Sequence, residues 1–228
     1  MLPRILEPEV MDSAEEARDY DAMDHHAVNA VFVDDLLAAA TADELQSGAS
    51  VRVIDIGTGT AQIPIELCRR PVSVHVTGVD LAGHMLQLAL RNVISAGLRS
   101  AIRLEHVDAK DLPFGDASFD WVISNSIVHH IPEPLHVLQE MLRVLRPGGL
   151  LFIRDLLRPE SREQLETLVA TYAANDNEHQ RKMFADSLHA ALTLEEVREL
   201  LEQTGLDPAW ASQTSDRHWT IRGRKPLD

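Results

Sequence analysis

The segment Asp55-Ile56-Gly57-Thr58-Gly59-Thr60 follows a β-branched run, VRVIDI, and leads into helix-like sequence. Glycines at such a turn let the backbone fold tightly and approach a ligand with no Cβ in the way. A second apolar run, SVHVTGVD, ends in Asp80, 21 residues beyond Gly59. A carboxylate at that place can accept hydrogen bonds from both hydroxyls of a ribose. Either feature alone is weak, because many strand-turn-helix units carry glycines for packing. In register with two strands, they indicate a ligand that bears a nucleoside. A dinucleotide fingerprint would place a third glycine where Gln62 stands, which weakens the case for a bound pyrophosphate.

A second group of reactive side chains is His129-His130, in Ser124-Asn125-Ser126-Ile-Val-His129-His130. Imidazole titrates near neutrality, so His130, and after it His129, is a candidate general base or acceptor-orienting group. The plainer use of the pair is to shape the turn before Ile131-Pro132. Metal binding is the competing use for 11 histidines. There is no H-x-x-x-H, and no His-x-Asp pair has a matching third ligand close by; Cys68 is the only cysteine. No metal is expected.

These residues need a scaffold that holds them at one edge. From Val51 strands and helices alternate: VRVIDI, a helix ending near Arg70, SVHVTGVD, a helix from about Gly83 to Ser95, then a strand over about Ile102–Val107. FDWVISN follows, then a helix from about Glu133 to Leu145 stopped by Pro147-Gly148-Gly149, then LLFIRDLL. Such alternation, with apolar strand runs, predicts a parallel sheet covered on both faces, with ligands beyond the C-terminal ends of its strands. Residues 22–40 carry helix-like spacing, so an N-terminal helix or two precedes the core, with Tyr20 ahead of it; residues 160–190 read as irregular helix with a polar break at Asn175-Asp176-Asn177 that could act as a hinge. Thr193-Leu-Glu-Glu196 fits a capping box, and two short strands are expected near Leu206–Ser212 and His218–Arg222. The expectation is one domain: an N-terminal helical cap (1–49), a cofactor-binding core (50–157), a helical lid (158–191), and a C-terminal helix with strands (192–228).

Composition narrows the partners. The formal charge is −15, and residues 1–50 hold twelve acids against Arg4 and Arg18, a net −10. Nucleic acid and anionic lipid need clustered cations, so neither is an expected partner. No apolar run reaches the roughly 18 residues of a membrane span, and the start lacks the pattern of a secretory signal. A cytoplasmic location is the default. Nothing in the sequence sets the oligomeric state.

The series VIDIGTGTAQIPIEL, VTGVDLAGHML, HVDAKDLPF, SFDWVISNSIVHHI and RVLRPGGLLFI resembles the class I S-adenosylmethionine-dependent methyltransferases of the small-molecule type. The resemblance covers about residues 51–155. It implies a Rossmann-like α/β fold: a seven-stranded, mostly parallel sheet with helices on both faces, an N-terminal helical cap and a helical lid. It implies S-adenosyl-L-methionine as cofactor and in-line methyl transfer to the O, N, S or C atom of a small acceptor. It further implies that Gly57, Thr58 and Gly59 lie against the methionine part of the cofactor, with Asp55 ordering the loop and the ammonium group. Asp80 would hold the ribose, Leu81 and Met85 the adenine face, Asp108 the adenine amino group, and Ala109 would offer its backbone. Asn125 would stand beside the sulfonium, and Tyr20 across the cofactor mouth. The rival readings are an NAD-dependent oxidoreductase and a non-catalytic S-adenosylmethionine-binding protein.

Overall fold

A computed structural model describes residues 2–8, 12–23, 25–46 and 48–227. Among these, the sheet has seven strands in the order β3-β2-β1-β4-β5-β7-β6. The strands are β1 (Val51–Ile56), β2 (Val74–Asp80), β3 (Ile102–His106), β4 (Phe119–Asn125), β5 (Leu145–Leu156), β6 (Ala211–Gln213) and β7 (His218–Arg224). β1 pairs in parallel with β2 and β4, and β2 with β3, whereas β6 and β7 pair antiparallel. The order turns outward at β1, with β2 on one side and β4 on the other, which is the switch point where open α/β sheets bind ligands.

The chain falls into two compact units. One contains Val10–Asn125, His136–Ile153 and Arg222–Asp228. Its core is built on the strand residues Val51, Val53, Val76, Trp121, Ile123 and Phe152, with Phe32 and Leu36 of helix α2 (His26–Ala39) packed in. Phe32 meets Phe152 edge-on at 5.0 Å, the geometry favoured by the ring quadrupoles. Helices α4 (Gln62–Cys68), α5 (Gly83–Ser95) and α6 (Pro134–Val144) follow β1, β2 and β4, close to the expected bounds.

Three features of this unit differ from the sequence expectation. A helix α1 (Ala14–Ala22) precedes α2, opened by a Ser13/Glu16 capping box, so Tyr20 lies within a helix rather than ahead of one. A short α3 (Ala42–Gln46) follows α2; its Glu44 accepts from Trp121 Nε1 at 3.0 Å and Arg224 Nη2 at 2.7 Å. β5 begins at Leu145 and runs through Pro147-Gly148-Gly149. The Gly148 N–H donates to the Lys225 carbonyl at 2.8 Å and the Lys225 N–H to that of Gly149 at 3.0 Å. The segment that stops α6 is thus also held in the sheet.

The other unit contains Met1–Glu9, Ser126–Leu135 and Arg154–Ile221. Helices α7 (Arg162–Tyr172) and α8 (Glu178–Ala190) bury Leu165, Leu168 and Leu188 with Leu156. Asn177 caps α8 in a capping box with Gln180, so the polar break at 175–177 holds a helix start. The Arg217 guanidinium lies 3.3 Å from the centroid of the Tyr172 ring, and the Tyr172 hydroxyl donates to Asp216 at 2.6 Å. Helix α9 (Leu194–Gln203) carries the expected Thr193/Glu196 box.

Candidate functional site

The turn after β1 has the conformation that the glycines were expected to permit. Gly57 and Gly59 take φ of 74° and 54°. Ala61, with φ of 62°, does so without being glycine, a strained position directly before α4. The N–H groups of Gly57 and Thr58 both donate to the Val79 carbonyl at 2.9 Å, which ties the turn to the end of β2. Close approach there needs a bare backbone opposite. A Cβ on Gly78 would lie 2.7 Å from Thr58 Oγ1, inside any normal contact.

Two carboxylates organise this turn. Asp55 is 2% exposed and accepts from the Thr58 hydroxyl at 2.7 Å. Burial pushes its carboxyl up to about 7; the Thr58 hydroxyl opposes the rise and the Asp80 carboxylate adds to it. Asp80 accepts from the Gly59 N–H at 2.7 Å through Oδ2 and from the Ala82 N–H at 2.8 Å through Oδ1. The Leu81 backbone is a third donor to this carboxylate. Burial raises the Asp80 carboxyl, although those backbone donors work against it.

A small, partly open pocket lies over the turn, lined by Tyr20, Asn29, Asp55, Gly57, Thr58, Thr60, Gln62, Ile63 and Asn125. Of the residues expected at the site, it brings together Tyr20, Asp55, Gly57, Thr58 and Asn125; Gly59 lies in the same turn and is hydrogen-bonded to Asp80. Met85 is buried with Ala17 and Ala82, and Tyr20 packs against that cluster. The Leu81 carbonyl accepts from His106 Nε2 at 2.8 Å. Asp108 stands half-buried after β3, pairs with Lys110 at 3.1 Å and does not line the cavity, nor does Ala109. Burial and the Asp80, Asp55 and Asp21 carboxylates push the Tyr20 phenol up to about 12, so it stays a neutral hydroxyl.

Sequence reading missed the polar set that fixes the helix start. Gln62 accepts from Asn29 at 3.2 Å and donates to Asp21 at 3.4 Å, while Asn92 donates to Asp21 at 2.9 Å and to the Thr60 carbonyl at 3.1 Å. Gln62, where a dinucleotide fold would have glycine, is therefore a bridging side chain. No local signal marks Asn29 or Asn92, since their partners are remote in sequence. Among the described residues, none of the cavity-lining side chains is lysine or arginine.

His129 and His130 belong to the other unit, on a 3-10 turn over Val128–His130. His129 is 3% exposed, with Nδ1 at 2.5 Å from Asp155 Oδ1 and Nε2 at 3.4 Å from Glu7 Oε1. Both its ring nitrogens thus face carboxylates, and neither is open to an acceptor. His130 Nδ1 lies 3.2 Å from the same Glu7 oxygen. Ser126, just before this turn, holds a positive φ of 60° and donates its N–H to the Arg154 carbonyl at 2.9 Å.

Residues 54–153 match the methyltransferase domain family. The chain is 33% identical over 175 residues to a 27-O-demethylrifamycin SV methyltransferase of Amycolatopsis mediterranei, covering 75% of this chain and 61% of that one. It is 33% identical over 109 residues to a ubiquinone/menaquinone biosynthesis C-methyltransferase of Geotalea daltonii, covering 47% and 46%. The chain thus spans less than two thirds of the length of these relatives. A SAM-dependent methyltransferase structure from Aquifex aeolicus has the same fold, with a TM-score of 0.65 at 17% identity over 93% of this chain and 98% of that one. Among the described residues, no helix is long and apolar enough to cross a membrane.

Proposed function

Because the chain belongs to the class I S-adenosylmethionine-dependent methyltransferases, we propose that it carries the methyl group of S-adenosylmethionine to a small-molecule acceptor. An O, N, S or C nucleophile of the acceptor forms the new bond to the methyl carbon as the bond to sulfur breaks, and adenosylhomocysteine leaves as a neutral thioether. Alignment of the two partners and exclusion of water supply most of what such a displacement needs. The single observation that carries this reading is the charge of the cavity. It offers the carboxylate of Asp55, with Asp80 beside it, and no cationic side chain in its lining. That suits a donor bearing an ammonium and a sulfonium, and repels the pyrophosphate of a dinucleotide.

In this reading Gly57, Thr58 and Gly59 pack against the methionine portion and Asp55 faces its ammonium. Asp80 takes the ribose hydroxyls, Leu81 and Met85 flank the adenine, and Asp108 and Ala109 bind its edge. Asn125 stands by the sulfonium and Tyr20 closes the mouth. A relative named for demethylrifamycin SV supports a small acceptor, and the net charge of −15 speaks against nucleic acid. The one cysteine, Cys68, is free, which fits a reducing, cytoplasmic setting.

The experiment that tests the reading has two steps. The protein is incubated with isotopically labelled methyl donor and a cell extract, and labelled products are sought by mass spectrometry. Denatured protein is then assayed for bound adenosylmethionine, adenosylhomocysteine or NAD. Label transfer to a small molecule supports the proposal. Bound donor without transfer would favour a binding protein, and bound NAD an oxidoreductase.

Asp55 makes the proposal pH-sensitive. Its carboxyl is half-protonated near pH 7 in the empty site, and an ammonium bound beside it favours the ionised form. Adenosylhomocysteine should therefore bind about tenfold more weakly for each pH unit below about 7, with little change above about 8. Calorimetry in buffers of different ionisation enthalpy should register proton release near neutrality, and Asp55→Asn should flatten the profile. For the empty protein the sign is opposite. A carboxyl raised on folding stabilises most below its unfolded value, so this contribution falls as pH rises from about 4 to about 7.

Residues 158–191 are the proposed lid over the acceptor. Hydrogen exchange should show this segment gaining protection when adenosylhomocysteine is added. Strong, equal protection with and without ligand would make α7 and α8 a rigid pair.

A further inference from the structure

Glu7 reaches the His129 turn because the segment before it is fastened in place. Arg4 donates to the carbonyls of Ile131 at 2.9 Å, His129 and Pro132 at 3.2 Å, and Ala190 at 2.7 Å. The Ile5 N–H donates to the His189 carbonyl at 3.1 Å. Glu7 Oε1 then lies 3.4 Å from His129 Nε2 and 3.2 Å from His130 Nδ1. The three ligand atoms fall within 4.8 Å of one another.

Two of those atoms are left unsatisfied. Glu7 Oε1 and His130 Nδ1 are buried and, among the described residues, have no hydrogen-bond partner. Two buried polar atoms 3.2 Å apart with no hydrogen bond between them are unfavourable unless something positive sits there.

We propose that Glu7, His129 and His130 form a site for one divalent cation, with Zn²⁺ the ion that best fits two imidazoles and a carboxylate. Zinc bonds of about 2.0–2.1 Å in a tetrahedron put neighbouring ligand atoms about 3.3 Å apart, close to the two separations measured here. Asp155 completes the pattern from behind. It faces His129 Nδ1 at 2.5 Å and accepts the N–H groups of Val128 at 2.6 Å and Leu156 at 2.6 Å, orienting the ring so that Nε2 faces inward. Asp155 and Glu7 supply two negative charges to balance the ion, with Arg4 held on the neighbouring carbonyls. The fourth position is taken by water. The ion ties residue 7 to the 128–130 turn. Sequence spacing gave no hint of it, because adjacent histidines are a poor pair alone and the third ligand comes from the N-terminal segment.

The test uses the full chain, stripped with a chelator and titrated with Co²⁺ and then Zn²⁺. One equivalent of Co²⁺ should bind with the intense visible absorption of a tetrahedral site, and Zn²⁺ should displace it. Glu7→Gln and His130→Ala should each lower Co²⁺ affinity at least about tenfold, and Asp155→Asn about 10–100-fold. His75→Ala, a histidine on β2, should leave it unchanged. Zn²⁺ should also raise the unfolding temperature of the unaltered chain, a measurement that depends on no variant. Absence of the absorption band, equal binding by Glu7→Gln, equal loss in His75→Ala, or no rise in unfolding temperature would each overturn the site.

Discussion

Asp80→Ala is expected to weaken adenosylhomocysteine binding by at least tenfold. Two hydrogen bonds from the ribose to a carboxylate would be lost, each worth about 1.5–3 kcal/mol. The empty site changes as well, because Asp80 accepts from Gly59 and Ala82 and so fixes where the glycine turn stands against β2. Asp80→Asn keeps one acceptor oxygen and should fall between the two. Titration calorimetry measures both variants. Affinity in Asp80→Ala equal to that of the unaltered protein would remove Asp80 from the ligand and unseat the placement of the ribose.

Asp155→Ala should cost about 3–5 kcal/mol of stability, the size found when one partner of a buried ion pair is removed. Asp155 is fully enclosed and accepts from the backbone of Val128, His129 and Leu156 besides facing the His129 ring. Burial alone would raise its carboxyl, but His129 and those donors outweigh that and hold it below the usual range. Alanine leaves three buried N–H groups and the His129 Nδ1 without their acceptor. Urea denaturation with and without the substitution gives the difference directly. A loss under about 1 kcal/mol would mean that water or a rearranged side chain replaces the carboxylate there.

The strand–helix alternation from Val51 to Leu156 was legible because its elements carry their own signals: apolar, β-branched runs for the strands and Pro147-Gly148-Gly149 as the stop of a helix. The glycine turn and Asp80 were legible for the same reason, since each motif is local. What stayed hidden depends on remote partners. Pro147-Gly148-Gly149 read as a helix stop, and nothing nearby showed that Lys225 would draw it into the sheet. The Ser13/Glu16 box lies in the sequence, but the apolar spacing begins near residue 22, so the place of Tyr20 within α1 did not show. Asn29, Asn92 and Glu7 look like ordinary surface residues until the fold sets them beside Gln62, Asp21 and His130.

Gly78 and Thr58 limit how this turn can evolve. A methyl group on residue 78 would sit 2.7 Å from the Thr58 hydroxyl, which is the same hydroxyl that bonds to Asp55 at 2.7 Å. Alanine at 78 is therefore admissible only if residue 58 shrinks, and a smaller residue 58 leaves the Asp55 carboxyl without that donor. Neither step is neutral by itself. Descendants of this sequence should hold the two positions together or exchange them as a pair, and a library aimed at bulkier sulfonium donors would have to vary 58 and 78 jointly to pass that barrier.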